Sequence, residues 1–302
     1  MYMKRIALLI WLAAVVVAQA ADPYENWHPP YRVVYGGYSM KPNDWEMWDG
    51  VFNVVHHALP ERDPVEARRI LDEARRHKMK VLSAVSVWDA NTDRIDTSKL
   101  QRFLDEIGRN EPALFGYVYG AVYKIPPERQ QAIYDAIKQV DPKRPVWSEF
   151  SSTSGKTWQQ FNPKACDAVL SYNYPYEAKD RATNTSIRVS YSVKAIAAVK
   201  PKELPVIPLL QAFGGSRWRV VPRGGMADQF DRWLETGPIA GVAFYRWRRS
   251  RAFIGIPADG SEENYTWKEV QQLGRQLAEQ RGPFVDATAW RKLAGRPIPT
   301  TR

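Results

Sequence analysis

Several residue types and motifs that would suggest a cofactor or metal enzyme are scarce or missing. The chain of 302 residues has one cysteine, Cys166, and four histidines, so no disulfide can form within it. No CxxC or HExxH motif occurs, and no GxGxxG turn follows a predicted strand. These absences argue against a structural zinc site and a dinucleotide fold, and we expect neither a metal nor a cofactor.

The chain also lacks the bias of a disordered or fibrous protein. Hydrophobic residues make up 44% and charged residues 25% of the sequence, which is near the globular average. The formal net charge is +10, with 43 Lys and Arg residues against 33 Asp and Glu residues. A basic balance favours anionic partners, but these residues are dispersed along the chain, so we expect no nucleic-acid partner.

The first twenty residues have the pattern of a secretory signal peptide. Lys4 and Arg5 precede an uncharged apolar run over residues 6–18, and small residues stand at 18 and 20. The run is shorter than the ~20 residues that span a bilayer. We therefore predict cleavage after Ala20 and a secreted or periplasmic protein without stable membrane insertion. Cleavage would lower the formal net charge to +8, and no cysteine stands immediately after the cleavage site to carry a lipid.

Eight short apolar runs along the rest of the chain are typical of β-strands. They cover Tyr31–Tyr38, Val51–Leu59, Met79–Trp88, Ala113–Tyr123, Pro145–Phe150, Ala168–Tyr174, Leu204–Phe213 and Ile239–Trp247. Segments with helical periodicity separate several of them; one begins at the capping sequence Asp63-Pro64-Val65-Glu66. This alternation predicts an α/β protein with one (β/α)₈ TIM barrel over residues 24–285 and an extended tail over 286–302.

The predicted strands end in aromatic and amide side chains, which suit sugar rings and hydroxyl groups. Active sites of such barrels lie at these carboxyl ends. We therefore predict a carbohydrate ligand at the barrel mouth. The predicted ligand-binding residues are Tyr38, His57, Trp88, Tyr174, Gln211, Tyr245 and Trp247.

Four segments resemble glycoside-hydrolase-type (β/α)₈ barrels in the order expected along the chain. The segment 167–175, Asp-Ala-Val-Leu-Ser-Tyr-Asn-Tyr-Pro, is similar to the sixth strand of that family, and 205–213 and 241–247 are similar to the seventh and eighth. Residues 114–119 with 141–146 resemble the fourth strand and the entry to the fifth. The resemblance, which covers about residues 31–280, implies a barrel directed at glycans.

The same resemblance exposes a departure at the fourth strand. Relatives carry an Asp-Glu-Pro type motif there, whereas this chain has Ala121, Val122 and Tyr123. Hydrolysis of a glycosidic bond normally needs two carboxyl groups. Replacement acids would have to come from other strand ends, and the candidates are Glu149, Asp89 and Glu177.

Three functions remain open from the sequence. The first is a catalytically silent barrel that binds a glycan at its mouth. The second is an active glycosidase that uses relocated carboxylates. The third is a basic envelope scaffold that holds an anionic oligo- or polysaccharide by charge.

Overall fold

Eight parallel strands form a closed barrel. The computed structural model describes residues 22, 24–35, 42–59, 63–120, 124–151, 160–172, 174–176, 204–215, 218–235, 237–245, 247, 253–254 and 265–295. In chain order, the barrel strands are β1 (Tyr31–Tyr35), β2 (Val54–His57), β3 (Lys80–Ala84), β6 (Leu114–Tyr119), β7 (Val146–Ser151), β8 (Ala168–Tyr172), β9 (Val206–Gln211) and β11 (Gly241–Tyr245). Each strand is hydrogen-bonded to the next, and β1 pairs with both β2 and β11 to close the ring. The predicted single (β/α)₈ barrel is therefore confirmed.

Four short strands lie outside the barrel as two antiparallel pairs. β4 (Trp88–Asp89) pairs with β5 (Arg94–Ile95), and β10 (Gly214–Gly215) pairs with β12 (Phe253–Ile254). The first pair follows β3, so the apolar run predicted as one strand over 79–88 divides into a barrel strand and a hairpin. The pattern of apolar residues did not reveal that division because both parts pack on the same core.

Helices of the described residues form the outer layer. They are α1 (Pro42–Trp48), α2 (Pro64–Arg76), α3 (Ser98–Ile107), α4 (Pro127–Val140), α5 (Gly225–Leu234), α6 (Tyr265–Ala278) and α7 (Ala287–Leu293). The predicted start of α2 is confirmed, since the Asp63 carboxylate accepts a hydrogen bond from Glu66 N. Within the described part of the chain, no helix combines the length and apolar character needed to cross a bilayer.

The extended conformation predicted for residues 286–302 is wrong for Ala287–Leu293. Asp286 caps this helix by accepting hydrogen bonds from the backbone N–H groups of Thr288 and Ala289. Its Trp290 is 1% exposed and donates its indole N–H to Asp231 on α5. Burial of one large ring gives this short helix a tertiary anchor that its local sequence did not show. The predicted signal peptide, residues 1–20, lies outside the described residues.

The buried apolar side chains form an inner and an outer cluster. The inner cluster fills the barrel and includes Val33, Leu82, Val118 and Leu170, while the outer cluster lies between strands and helices. Alternation along each strand sends successive side chains to opposite clusters. At the seam between β1 and β11, a Cβ added to Gly241 would stand 2.2 Å from the carbonyl oxygen of Tyr31, so only glycine fits there.

Aromatic rings close the N-terminal end of the barrel, which we call the floor. Trp27, Tyr31, Phe115 and Trp147 contact one another with ring centroids 5.3–5.9 Å apart. Beside them, the Asn53 side chain accepts from the backbone N–H of Arg32 and donates to the carbonyl oxygens of His28 and Pro30. The chain entering β1 is therefore tied to β2 through one amide side chain.

Candidate functional site at the barrel mouth

Glu149 is the one acidic residue on the barrel strands as the structure describes them. It lies on β7, two residues after Trp147, whose ring belongs to the inner cluster. The two-residue period of a strand therefore turns Glu149 into the barrel as well, near its C-terminal end. The predicted mouth carboxylate is placed where a ligand entering the barrel would meet it.

The Glu149 carboxyl sits in a partly buried pocket beside a tyrosine. Tyr35, the last residue of β1, donates its hydroxyl to Glu149 Oε2 at 2.5 Å. Burial raises the pKa of Glu149, and the Tyr35 hydrogen bond opposes this shift by stabilising the charged form. A carboxyl with a raised pKa retains its proton to a higher pH, which is the property of a general acid.

A neutral histidine supports Tyr35 from the side. The His56 imidazole on β2 stacks on the Tyr35 ring with centroids 3.9 Å apart and planes 4° apart. His56 is 1% exposed, and burial, with the neighbouring His57, lowers its pKa to about 3. The imidazole is therefore uncharged at neutral pH and adds a flat apolar surface rather than a cation.

Partly or fully buried aromatic rings form a cluster on the β8, β9 and β11 side of the mouth. Tyr174 stacks against Tyr172 at 5.3 Å and Tyr245 at 5.6 Å, and its edge meets Phe213 at 4.9 Å and Trp218 at 6.1 Å. We call these five residues the ring cluster. Tyr245 also contacts Tyr35 at 5.5 Å, which joins the cluster to Glu149.

The ring cluster and the carboxyl influence each other electrostatically. Burial raises the pKa of Tyr174 well above its usual range, and the nearby Tyr245 and Glu149 raise it further. A negative charge on Glu149 is therefore felt at the Tyr174 hydroxyl. The site presents flat apolar faces beside one carboxyl, which is a combination suited to a sugar ring and its hydroxyl groups.

Gln211, a predicted ligand-binding residue, instead holds the mouth loops together. Its side-chain oxygen accepts from Tyr176 N at 3.0 Å, and its amide nitrogen donates to the carbonyl oxygens of Phe213 and Arg219, both at 3.1 Å. The side chain is fully buried, so it offers no surface to a ligand. It fixes the backbone that carries Phe213 and Trp218, which corrects its predicted role.

Asp89 and Trp88 lie together on the β4–β5 hairpin rather than beside Glu149. The Asp89 carboxylate is exposed and accepts hydrogen bonds from Asn91 N and the Thr92 hydroxyl, and these bonds lower its pKa. The Trp88 indole donates to Asp93 within the same hairpin. A carboxylate that is exposed and held ionised by a turn lacks the environment of a proton donor, so the structure does not support Asp89 as the catalytic acid.

His57 and Trp247 face the outer layer. His57 donates from Nδ1 to Ala58 O, and burial lowers its pKa, which is also influenced by Glu66 and Arg69 of α2. Trp247 is 1% exposed, and its ring contacts Trp48 of α1 and Trp267 of α6 at 5.2 Å each. Neither side chain reaches the mouth, so the prediction that they bind ligand is corrected. His57 was chosen where strand alternation turns its neighbour His56 toward the barrel, and Trp247 lies two residues beyond the end of β11, where strand alternation no longer sets its direction.

Three parts of the predicted site lie outside the described residues: Tyr38, Glu177, and the segment Ala121 to Tyr123 where the family acids are missing. Their neighbours are described. A Cβ added to the exposed Gly120 would lie 3.1 Å from Glu149 Oε2, so the carboxyl lies next to the end of β6. Lys124, the first described residue after that segment, is exposed.

Sequence reasoning missed Tyr35, which contacts Glu149, and selected His57 instead of His56, which stacks on Tyr35. Both could have been found from strand alternation. Tyr35 shares its face with Val33, and His56 shares its face with Val54, and both valines belong to the inner cluster. The described residues contain no cluster of His, Cys, Asp and Glu side chains able to hold a metal ion.

Comparisons with known proteins support the fold. No protein-family model matches the sequence, and no curated protein matches it by sequence. A cold-adapted β-galactosidase from Rahnella is similar in structure, with a TM-score of 0.58, 11% identity, and coverage of 81% of this chain and 56% of that one. A protein described as an α-L-fucosidase from Bacteroides thetaiotaomicron has a TM-score of 0.56 and 7% identity, with coverage of 82% and 93%.

A third structure in the same group is a β-glucuronidase from Ruminococcus gnavus, with a TM-score of 0.52, 12% identity, and coverage of 72% of this chain and 44% of that one. The chain thus spans about half the length of the galactosidase and of the glucuronidase. At these identities the likeness concerns the fold. The molecule is a (β/α)₈ barrel whose fold is similar to the folds of these three structures.

Proposed function

We propose that the protein binds a carbohydrate at the barrel mouth, over the ring cluster and beside Glu149. The observation that carries this proposal is that partly buried tyrosine rings are joined to a partly buried carboxyl through the Tyr35–Glu149 and Tyr35–Tyr245 contacts. The glycosidase names of structures with the same fold agree with a sugar ligand. The partner is an oligo- or polysaccharide that a secreted or periplasmic protein would meet.

Removal of one ring tests the binding proposal. Tyr245→Ala should weaken binding to a responsive polysaccharide by about tenfold, because it removes a stacking face worth ~1–1.5 kcal/mol. Tyr134→Ala is the matched control, since Tyr134 is a partly buried tyrosine on α4. Affinity electrophoresis over a panel of neutral and acidic polysaccharides measures both. Equal retardation of the two variants, or no retardation of the parent by any glycan, would refute the proposal.

A second candidate function is hydrolysis with Glu149 as the general acid. It is favoured by the raised pKa and by the position of the carboxyl beside Gly120 at the end of β6. In this scheme, protonated Glu149 would donate to the leaving oxygen of the glycosidic bond, and Tyr35 would hold Oε2 so that the carboxyl keeps one orientation. A second carboxyl would have to come from outside the barrel strands, from Glu177 or from the buried Asp44 at the start of α1.

Release of reducing sugar separates the two functions. If Glu149 is the acid, Glu149→Gln should lower kcat by 100-fold or more, the usual contribution of general acid catalysis. Glu128→Gln, an exposed acid on α4, should leave turnover unchanged. Turnover that is equal in parent and Glu149→Gln excludes the hydrolase scheme, and absence of turnover with retained binding assigns the silent, glycan-binding function.

A further inference from the structure

A cavity of about 680 Å³ opens on the N-terminal face of the barrel, opposite the mouth. Its wall comes from the chain before β1, the turn between α1 and β2, and the turn between α2 and β3. The wall includes Trp27, Arg32 and Lys78. The glycan site proposed above uses none of these residues, so this cavity can be considered independently of it.

Arg32 is a buried cation without a carboxylate partner in the described part of the molecule. The residue is 7% exposed, and its guanidinium donates from Nε to Val51 O at 3.1 Å and from Nη1 to Pro30 O at 3.4 Å. Carbonyl oxygens carry only partial negative charge, so the desolvated cation is poorly compensated. Burial and the nearby Arg281 lower the pKa of Arg32 to about 10, which leaves it charged at neutral pH.

Most other charged groups of this wall already have partners. His77 Nδ1 lies 2.9 Å from Asp49 Oδ1, and Arg76 pairs with Glu73 at 2.6 Å. The Asp22 carboxylate accepts from Tyr24 N. Lys78 is an exposed cation on the wall. Glu25 is an exposed acid on the same wall, and its negative charge counteracts the positive charge of Lys78.

We propose that this cavity binds an oxyanion, a carboxylate, sulfate or phosphate group, between the Arg32 guanidinium and the Lys78 ammonium. A guanidinium with remaining donors recognises such groups through paired N–H···O bonds, and an ammonium on the rim adds attraction as a point charge. The Trp27 ring on the same wall adds an apolar face for the group that carries the anion.

Calorimetric titration with sodium sulfate at constant ionic strength tests the site on the folded chain. Lys78→Asn removes the rim cation and should weaken binding about fivefold; asparagine suits the positive φ of 54° at this position. Glu25→Gln removes the opposing acid and should strengthen binding by a similar factor. Lys99→Gln, an exposed lysine on α3 that is not part of this wall, is the control and should bind as the parent does.

Arg32→Gln should abolish saturable binding, because charge-assisted hydrogen bonds are the strong component of oxyanion recognition. Its thermal unfolding midpoint is measured in parallel, and the Lys78 and Glu25 variants keep the proposal testable if this variant fails to fold. Saturable binding that is the same in the parent, Lys78→Asn and Glu25→Gln would overturn the site, as would the lack of any saturable binding in the parent.

Two further titrations identify the source of the anion. Tighter binding of a uronic-acid oligosaccharide than of sulfate or phosphate would assign an acidic sugar as the ligand. Binding of the inorganic ions that equals binding of the oligosaccharide would assign a free anion. Either result supports an oxyanion site. Glu149→Gln should bind sulfate as the parent does. A change of sulfate affinity in that variant would place the anion at the mouth and overturn the proposal.

Discussion

The two ends of the barrel are both lined with aromatic rings, but their polar groups are used differently. At the floor, the Asn53 side-chain amide forms hydrogen bonds with three backbone groups, and the Trp27 indole donates to Asn53 O at 2.8 Å. At the mouth, the corresponding central polar group is a carboxyl with a raised pKa, held by Tyr35 and bordered by the exposed Gly120. A polar group whose hydrogen bonds all go to the backbone supports the fold, whereas a carboxyl with a raised pKa near solvent is available for chemistry.

The largest effect on stability is expected at the floor of the barrel. Asn53→Ala should lower the free energy of unfolding by about 3 kcal/mol, because it removes three hydrogen bonds and leaves buried backbone groups unpaired. Urea unfolding measures the change. Asn91→Ala, an exposed amide on the β4–β5 hairpin, should alter stability by less than ~0.5 kcal/mol. A loss at Asn53 no larger than at Asn91 would contradict the structural role of the floor amide.

Glu149→Gln should give a smaller change in the free energy of unfolding, and at pH 7 this change should be an increase. Since the folded pKa of Glu149 lies above its unfolded value, the folded state prefers the protonated carboxyl. The contribution of Glu149 to stability is therefore fully present below the unfolded pKa of ~4.3 and is lost as pH rises through the raised folded pKa. The glutamine variant should be more stable than the parent at pH 7, by about 1 kcal/mol, and equal to it near pH 3.5.

Unfolding by urea at a series of pH values from 3.5 to 8 checks this prediction. Glu128→Gln serves as the matched acid-to-amide control because the side chain is exposed on α4. A glutamine variant that loses stability at neutral pH would show that the charged form of Glu149 is the one that the mouth stabilises.

The smallest expected effect comes from Gly120→Ala. The added methyl group would stand 3.1 Å from Glu149 Oε2, so the carboxyl must move by a few tenths of an ångström while the backbone stays in place. Stability should change by no more than ~0.5 kcal/mol. The methyl group also displaces water, which should raise the Glu149 pKa further in a carboxyl-selective infrared titration.

The control is the same substitution in the Glu149→Gln background, where no pH-dependent difference should remain. A pH-dependent difference that persists without the carboxyl would mean that Gly120 acts through another group.

The barrel was predictable because each strand is a short apolar run between turn signals, and eight such runs alternating with helices fit one closed sheet. Glu149 was predictable as well, since an acid at the end of an apolar run stands out. The pairing of Glu149 with Tyr35 was not, because Tyr35 is 114 positions away and closure of the barrel brings it to Glu149; strand alternation predicts the direction of Tyr35 but not its partner. The sequence around either residue does not show that the two side chains are in contact.

The errors at Gln211, His57 and Trp247 share one physical cause. Gln211 and His57 are the last residues of β9 and β2, and Trp247 lies two residues after the last residue of β11. At all three, the sequence did not reveal the direction or the use of the side chain. Gln211 is buried by backbone partners, and the other two point to the helices. Direction follows from the two-residue period only when the strand limits are known, and the predicted runs extend beyond the observed strands by one to four residues.

The seam at Gly241 has a consequence for how the chain reaches its native state. Tyr31 pairs with Gly241, so the first and last barrel strands meet across about 210 residues of intervening sequence. During synthesis at ~5–20 residues per second, β1 waits on the order of 10–40 s for its second neighbour to leave the ribosome. Throughout that interval one edge of an apolar strand is open to other chains, so cellular yield depends on whatever shields this edge until the ring closes.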